Sequence, residues 1–138
     1  MKLSTKPRYG LRILAQIAAD GGDNAPVSGK EVAQKQNISI AYIEQILIPM
    51  RNAGLVRTVR GRNGGYILNR PANDISLLEI IELFEGRLEL VSDRDHSSAS
   101  NIWNRLTESL RKETGAVTVA DLADLIRDET PPIIDFMI

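Results

Sequence analysis

The stretch Leu55-Val56-Arg57-Thr58-Val59-Arg60-Gly61-Arg62-Asn63-Gly64-Gly65-Tyr66-Ile67-Leu68 decides the architecture of the chain. Leu55 to Arg60 alternates like a half-buried strand. Gly61 to Gly65 is a flexible turn, and Tyr66-Ile67-Leu68 returns as a second strand. The residues before it make this basic-tipped hairpin a wing. Ser39 suits the N-cap of a helix carrying Ile43, Ile46, Leu47 and Met50, and Gly54 falls where a left-handed residue closes a helix. Pro49 inside that pattern predicts a kink or break. Upstream, Ser28-Gly29-Lys30-Glu31 has the form of a capping box opening a short helix to about Gln36, with Asn37-Ile38 as a turn. Two helices joined by a tight turn form a helix-turn-helix. Ahead of them, residues 6–19 read as a helix, with Pro7 in its first turn, Leu11, Leu14, Ile17 and Ala18 at helical spacing, and Gly21-Gly22 at its end. Asp23 to Val27 reads as a loop. The expected fold is mainly α with a small β-wing: a winged helix-turn-helix followed by a long dimerisation helix.

On the C-terminal side, Pro71 to Asp74 reads as a linker. Ser76-Leu77-Leu78-Glu79 repeats the capping-box form and opens a helix to about Phe84, which Gly86 breaks. Residues 91–100 are a polar loop. From about Ser100 to Glu113 a helix places Ile102, Leu106 and Leu110 four residues apart with Trp103 beside them, and Gly115 is expected to end it. A last helix runs from Thr118 through Ile126, is stopped by Thr130-Pro131-Pro132, and leads into the apolar tail Ile133 to Ile138. The expected division is a DNA-binding domain over 1–70, linker and dimerisation helices over 71–130, and a tail over 131–138.

Composition narrows the chemistry. The 138 residues are 43% hydrophobic and 25% charged, which suits one modest globular unit. There is no cysteine and one histidine, His96, so a disulfide scaffold, a thiol nucleophile and a His/Cys metal site are not expected, and no cofactor is either. No apolar run is long enough to span a membrane, and the start Met1 to Arg8 lacks the apolar core of a secretory signal, so the expected compartment is the cytoplasm. No P-loop, nucleophile elbow or metalloprotease motif occurs, and Asp93 and Asp95 read as solvated loop charges, so an enzyme is not expected. The net charge of −1 conceals an asymmetry: residues 1–70 hold 11 Lys and Arg against 4 Asp and Glu, and residues 71–138 hold 6 against 14. A basic half of this kind suits a polyanionic partner.

The cations fall on the elements that a winged helix presents to double-stranded DNA. Lys2, Lys6 and Arg8 lie at the first helix, Arg51 late in the second helix of the motif, and Arg57, Arg60 and Arg62 on the wing. Asn63, Gly64, Gly65 and Tyr66 complete the wing, where glycine permits close backbone approach to phosphate. The cap residues Ser28 and Ser39 belong to the same candidate surface. Tyr42, Glu44 and Gln45 lie near the start of the recognition helix. Gln45 can pair with adenine and Glu44 can accept from cytosine N4, although both residues also suit an ordinary helix surface. The motif is complete by residue 70, so the later amphipathic helix, with Ile102, Trp103, Leu106 and Leu110, is expected to bury its face in a homodimer that reads a palindromic operator.

Taken together, Ser4-Thr5-Lys6-Pro7-Arg8-Tyr9-Gly10, Tyr42-Ile43-Glu44-Gln45-Ile46, Arg51-Asn52-Ala53-Gly54-Leu55-Val56 and Val59-Arg60-Gly61-Arg62-Asn63-Gly64-Gly65-Tyr66 closely resemble the Rrf-two family of bacterial winged-helix regulators over nearly the whole chain. The resemblance implies a homodimer that binds an operator through recognition helix and wing. Many members hold an iron–sulfur cluster on three cysteines in the loop before the dimer helix. Here that loop has Ser97, Ser98 and Ser100, and serine is a poor ligand for such a cluster. One alternative is therefore a redox or nitric-oxide-responsive member whose ligands are absent or replaced by serine. The chain length, the start and the apolar end look more like the cysteine-free branch that represses cysteine and sulfur metabolism genes, and that branch implies cysteine synthase (O-acetylserine thiol-lyase) as signalling partner. Phe136, Met137 and Ile138 resemble the acidic-apolar tail with which serine acetyltransferases dock into that enzyme, which makes them the expected docking residues.

Overall fold

A computed structural model describes residues 2–93 and 96–129. Its elements are α1 (Thr5–Ala19), α2 (Gly29–Gln36), α3 (Ile40–Asn52), β1 (Val56–Val59), β2 (Gly65–Leu68), a 3-10 turn (Ala72–Asp74), α4 (Leu77–Glu85), α5 (Ser100–Ala116) and α6 (Val119–Glu129). This is the expected winged helix-turn-helix with a long helix after it.

The caps follow the sequence. Ser28 accepts from Lys30 N–H, Ser39 from Tyr42 N–H and Ser76 from Glu79 N–H, at 3.1–3.2 Å. Each satisfies one of the amide donors a helix start leaves open. Between α2 and α3, Asn37 takes the left-handed conformation (φ 55°, ψ 47°) that turns the chain tightly. Ser4 precedes α1, and its backbone N–H and hydroxyl both donate to Glu85 at the end of α4.

One continuous core joins these elements. Ile13, Leu14 and Ile17 of α1 pack with Val32 of α2, with Ile43, Ile46, Leu47 and Met50 of α3, and with Val56 and Leu68 of the wing strands. Ile75, Ile80, Val119 and Ala123 belong to the same cluster, so α4 and α6 also close over α1. Leu77 N–H donates to Val117 O (2.8 Å) and Val119 N–H to Ile75 O (2.9 Å), fastening the start of α6 to that of α4.

Three local expectations are corrected. Asp23 to Val27 is not wholly a loop. Val27 and Tyr66 exchange two backbone hydrogen bonds of 2.8 Å, adding a short third strand position to the wing. Helix α3 is not broken at Pro49 but runs on to Asn52. Proline inside a helix costs about 3 kcal/mol. Each fully buried large apolar side chain returns roughly 1.5–3 kcal/mol, and α3 buries four: Ile43, Ile46, Leu47 and Met50. Past the proline the helix closes on Gly54 (φ 78°), with Gly54 N–H to Arg51 O and Leu55 N–H to Met50 O, both 3.0 Å. Finally, α5 passes through Gly115 to Ala116: Gly115 is not among the left-handed glycines, and a Cβ there would meet only Leu78 at an ordinary 3.8 Å.

The strands pair antiparallel, with Val56 opposite Leu68, Arg57 opposite Ile67, Thr58 opposite Tyr66 and Val59 opposite Gly65. Gly65 has φ 151°, and a Cβ there would lie 2.3 Å from Val27 O. The wing root therefore admits no side chain at this position. Gly65→Ala is expected to destabilise the domain by roughly 1–3 kcal/mol or more. Gly115→Ala, in ordinary helical space, should stabilise it by up to about 1 kcal/mol. Urea unfolding of the two variants against wild type checks both signs.

Candidate nucleic-acid interface

Helix α3 turns Ile43, Ile46, Leu47 and Met50 into the core, and exposes Ile40, Ala41, Glu44, Gln45, Ile48, Arg51 and Asn52. Tyr42 stands apart from this face. It is half-buried, with its ring edge-on to Tyr9 (centroids 5.6 Å apart, planes at 90°), and the Arg12 guanidinium covers Tyr9 at 4.8 Å. Its immediate role is to pack the start of α3 against α1. Ser28 and Ser39 act as the helix caps described above.

The wing lies beside α3. Arg57, Arg60, Gly61, Arg62 and Asn63 are exposed, and Gly64 and Gly65 are half-buried. A Cβ at Gly64 would lie 2.0 Å from Val59 O, so the two glycines serve the wing's own close packing before any approach to phosphate. The Tyr66 ring covers Gly29, where a Cβ would sit 3.0 Å from it. Tyr66, Glu44, Leu47, Ile48 and Arg51 line a cleft of about 220 Å3 between α3 and the wing. Burial raises the Tyr66 phenol above its ordinary pKa, Glu44 adds to this, and Arg51 opposes it. The phenol therefore stays protonated at neutral pH and available as a donor.

Lys6 and Arg8 are exposed at the start of α1. Among the described residues, none of Lys6, Arg8, Arg51, Arg57, Arg60 and Arg62 takes part in a salt bridge. Arg70, Arg87, Arg111 and Arg127, by contrast, are each paired with a carboxylate. Among the described residues the cations without a carboxylate partner thus include those at the start of α1, late in α3 and on the wing, and also Arg12, Lys30, Arg105 and Lys112.

Sequence reasoning missed a polar chain behind this surface. Gln16, only 4% exposed, donates to Asp20 (3.1 Å) and accepts from Gln36 (2.8 Å). Gln36 in turn accepts from Arg12 Nε (2.9 Å), and Lys35 pairs with Asp20 (3.0 Å). The available signal was Gln16 lying within the run of buried residues from Ile13 to Ala18. A buried amide needs partners, and here α2 supplies one of them.

Helix α5 has no buried residue within the chain. Ile102, Trp103 and Leu106 are 48%, 39% and 44% exposed, and Leu110 is half-buried. Arg111 ties the helix to Glu82 of α4, and Leu90 N–H donates to Thr107 Oγ1 (3.2 Å). The Arg111 guanidinium beside Glu82 holds that carboxyl below the usual range. Phe136, Met137 and Ile138 lie outside the described residues. Among the described residues no helix is long and apolar enough to cross a membrane.

Residues 3–125 match the family model Rrf2, described as an iron-dependent transcriptional regulator. The chain is 38% identical over 125 residues to the HTH-type transcriptional regulator CymR of Bacillus subtilis, covering 89% of this chain and 90% of that one. It is also 38% identical over 141 residues to the HTH-type transcriptional regulator IscR of Cereibacter sphaeroides, covering 96% and 91%. The solved structure of B. subtilis CymR, called the global cysteine regulator of that organism, superposes with a TM-score of 0.80 at 36% identity over 91% of this chain and 98% of the other. Among the described residues the iron in the family's description finds no matching cluster of donors. The chain has no thiol, and among the described residues no group of three or more His, Asp or Glu could hold a metal ion. The fold, the exposed outer face of α3 and the matches along nearly the whole length lead to one conclusion: the chain belongs to the Rrf2 family and is a winged-helix transcriptional regulator, not an enzyme.

Proposed function

We propose that the chain is a cytoplasmic homodimeric repressor that binds a palindromic operator of cysteine and sulfur metabolism genes and takes its signal from cysteine synthase. The observation that carries the DNA-binding part is the exposed face of α3 beside a wing whose Arg57, Arg60 and Arg62 are exposed and, with Arg51, outside every salt bridge. Phosphate contacts from Lys6, Arg8, Arg51, Arg57, Arg60 and Arg62 set the register, while Glu44 and Gln45 read base edges. The sulfur-gene part is supported by the likeness to CymR and by the lack of any thiolate for a cluster. The dimer is supported by α5. Three large apolar side chains, exposed within one chain, lie along one helix face and suit a matching face on a second copy.

Four outcomes follow. Arg62→Ala should weaken binding to all duplexes and flatten the plot of log affinity against log salt by about one unit per half-site; fluorescence anisotropy across a salt series measures it. An unchanged slope for both Arg60→Ala and Arg62→Ala removes the wing from the interface. Glu44→Ala should lose roughly 1–3 kcal/mol of discrimination between operators while leaving non-specific binding nearly intact; equal losses on every sequence show that Glu44 does not read bases. Leu106→Ala should raise the dimer dissociation constant at least tenfold, since truncating a buried Leu costs roughly 2–5 kcal/mol, and a wild type monomeric at micromolar concentration in sedimentation overturns the dimer. Adding cysteine synthase should change the operator affinity of the full chain. An affinity that ignores the enzyme overturns the sulfur-signalling part and leaves operator binding standing.

A further inference from the structure

Ile48 occupies a position that the chain's own packing does not explain. Along α3 its neighbours at i−7, i−4, i−3, i+3 and i+4 are Ala41, Glu44, Gln45, Arg51 and Asn52, and all five are exposed. At about 100° per residue this puts Ile48 near the middle of the outward arc, with Glu44 and Arg51 to one side and Gln45 and Asn52 to the other. A branched apolar side chain, 50% exposed, thus sits among charged and amide neighbours at the mouth of the cleft shared with Tyr66. A surface meant only for phosphate and hydrogen-bonding base edges has no use for such a group. In the major groove the one apolar feature of the base edges is the thymine C5-methyl, and side chains that read it are apolar.

We infer that Ile48 is a specificity residue that packs on a thymine methyl at the centre of each operator half-site. This rests on the reading of α3 as the helix that enters the major groove. Ile48 is one turn beyond Glu44, about 6 Å along the axis at 1.5 Å per residue, or about two steps of the 3.4 Å base-pair stack. The thymine therefore lies within about two base pairs of the base that Glu44 contacts. Tyr66, Glu44 and Arg51 line the same cleft as Ile48.

The test uses the full-length protein and a duplex obtained by selection from random DNA. Each thymine of the half-site is replaced in turn by deoxyuridine, which removes the methyl and leaves every hydrogen-bonding group in place. One position should weaken wild-type binding about fourfold per half-site, the factor for one buried methyl. Ile48→Ala should bind thymine and uracil at that position equally, Ile48→Val should keep most of the preference, and Arg62→Ala should weaken both duplexes by the same factor. Half of Ile48 is already exposed, so the variants should keep the wild-type melting temperature within a few degrees, which a thermal melt verifies. A selected duplex indifferent to uracil at every position overturns the inference alone, as does an Ile48→Ala protein that keeps the full preference. Failure of wild type to select any duplex overturns the DNA-binding reading and this inference with it.

Discussion

The geometry of the candidate surface depends on the backbone bridge between Val27 and Tyr66. Its two 2.8 Å hydrogen bonds contribute little in net energy, about 0.5–1.5 kcal/mol each. They nevertheless fix where the hairpin leaves the helices. A two-stranded hairpin is marginal by itself, and this one is sewn down once more, by Leu68 N–H to Gly22 O (2.7 Å), while Asn69 N–H to Leu55 O (3.0 Å) extends its own ladder. Because Val27 directly precedes the cap of α2, the bridge sets the wing's position relative to the helix-turn-helix as a unit. Tyr66 extends the link sideways, since its ring lies over Gly29 and its hydroxyl feels Glu44 and Arg51. Gly65 is the condition for all of this, because no other residue lets the two backbones approach so closely.

Charge is distributed by the same logic. Arg70 is held by Glu79 and Asp74, and Arg111 by Glu82, so each joins neighbouring elements and has little left to offer a ligand. The cations near α3 and on the wing have no such carboxylate, and their field is screened only by solvent and salt. The sequence also divides into a basic N-terminal half and an acidic C-terminal half, a charge asymmetry of the kind that steers approach to a polyanion.

Much of this was legible because it is local. Ser28, Ser39, Ser76 and Gly54 announce helix ends through side-chain oxygen or backbone freedom within a few residues, and all four act as their types predict. What escaped the sequence is non-local. The pairing of Val27 depends on a partner 39 positions away, and the Gln16–Gln36–Arg12 chain depends on how α1 and α2 cross. Tyr42 shares a helix with Glu44 and Gln45, but its orientation toward Tyr9 is a tertiary fact. Ile48 falls outside the periodic set Ile43, Ile46, Leu47 and Met50, and its place in the middle of the exposed arc of α3 becomes plain only in the fold. Gly115 shows the reverse error: glycine permits a helix end without demanding one.

Pro49 has a consequence for how the protein fails. A segment carrying an internal proline holds a helix poorly on its own, so α3 owes its order to Ile43, Ile46, Leu47 and Met50 beneath it. The outward residues are therefore not a layer that can melt while the interior survives. Whatever loosens those four side chains disorders Glu44, Gln45 and Ile48 in the same step, so the proposed reading face and the folded domain are lost in a single transition.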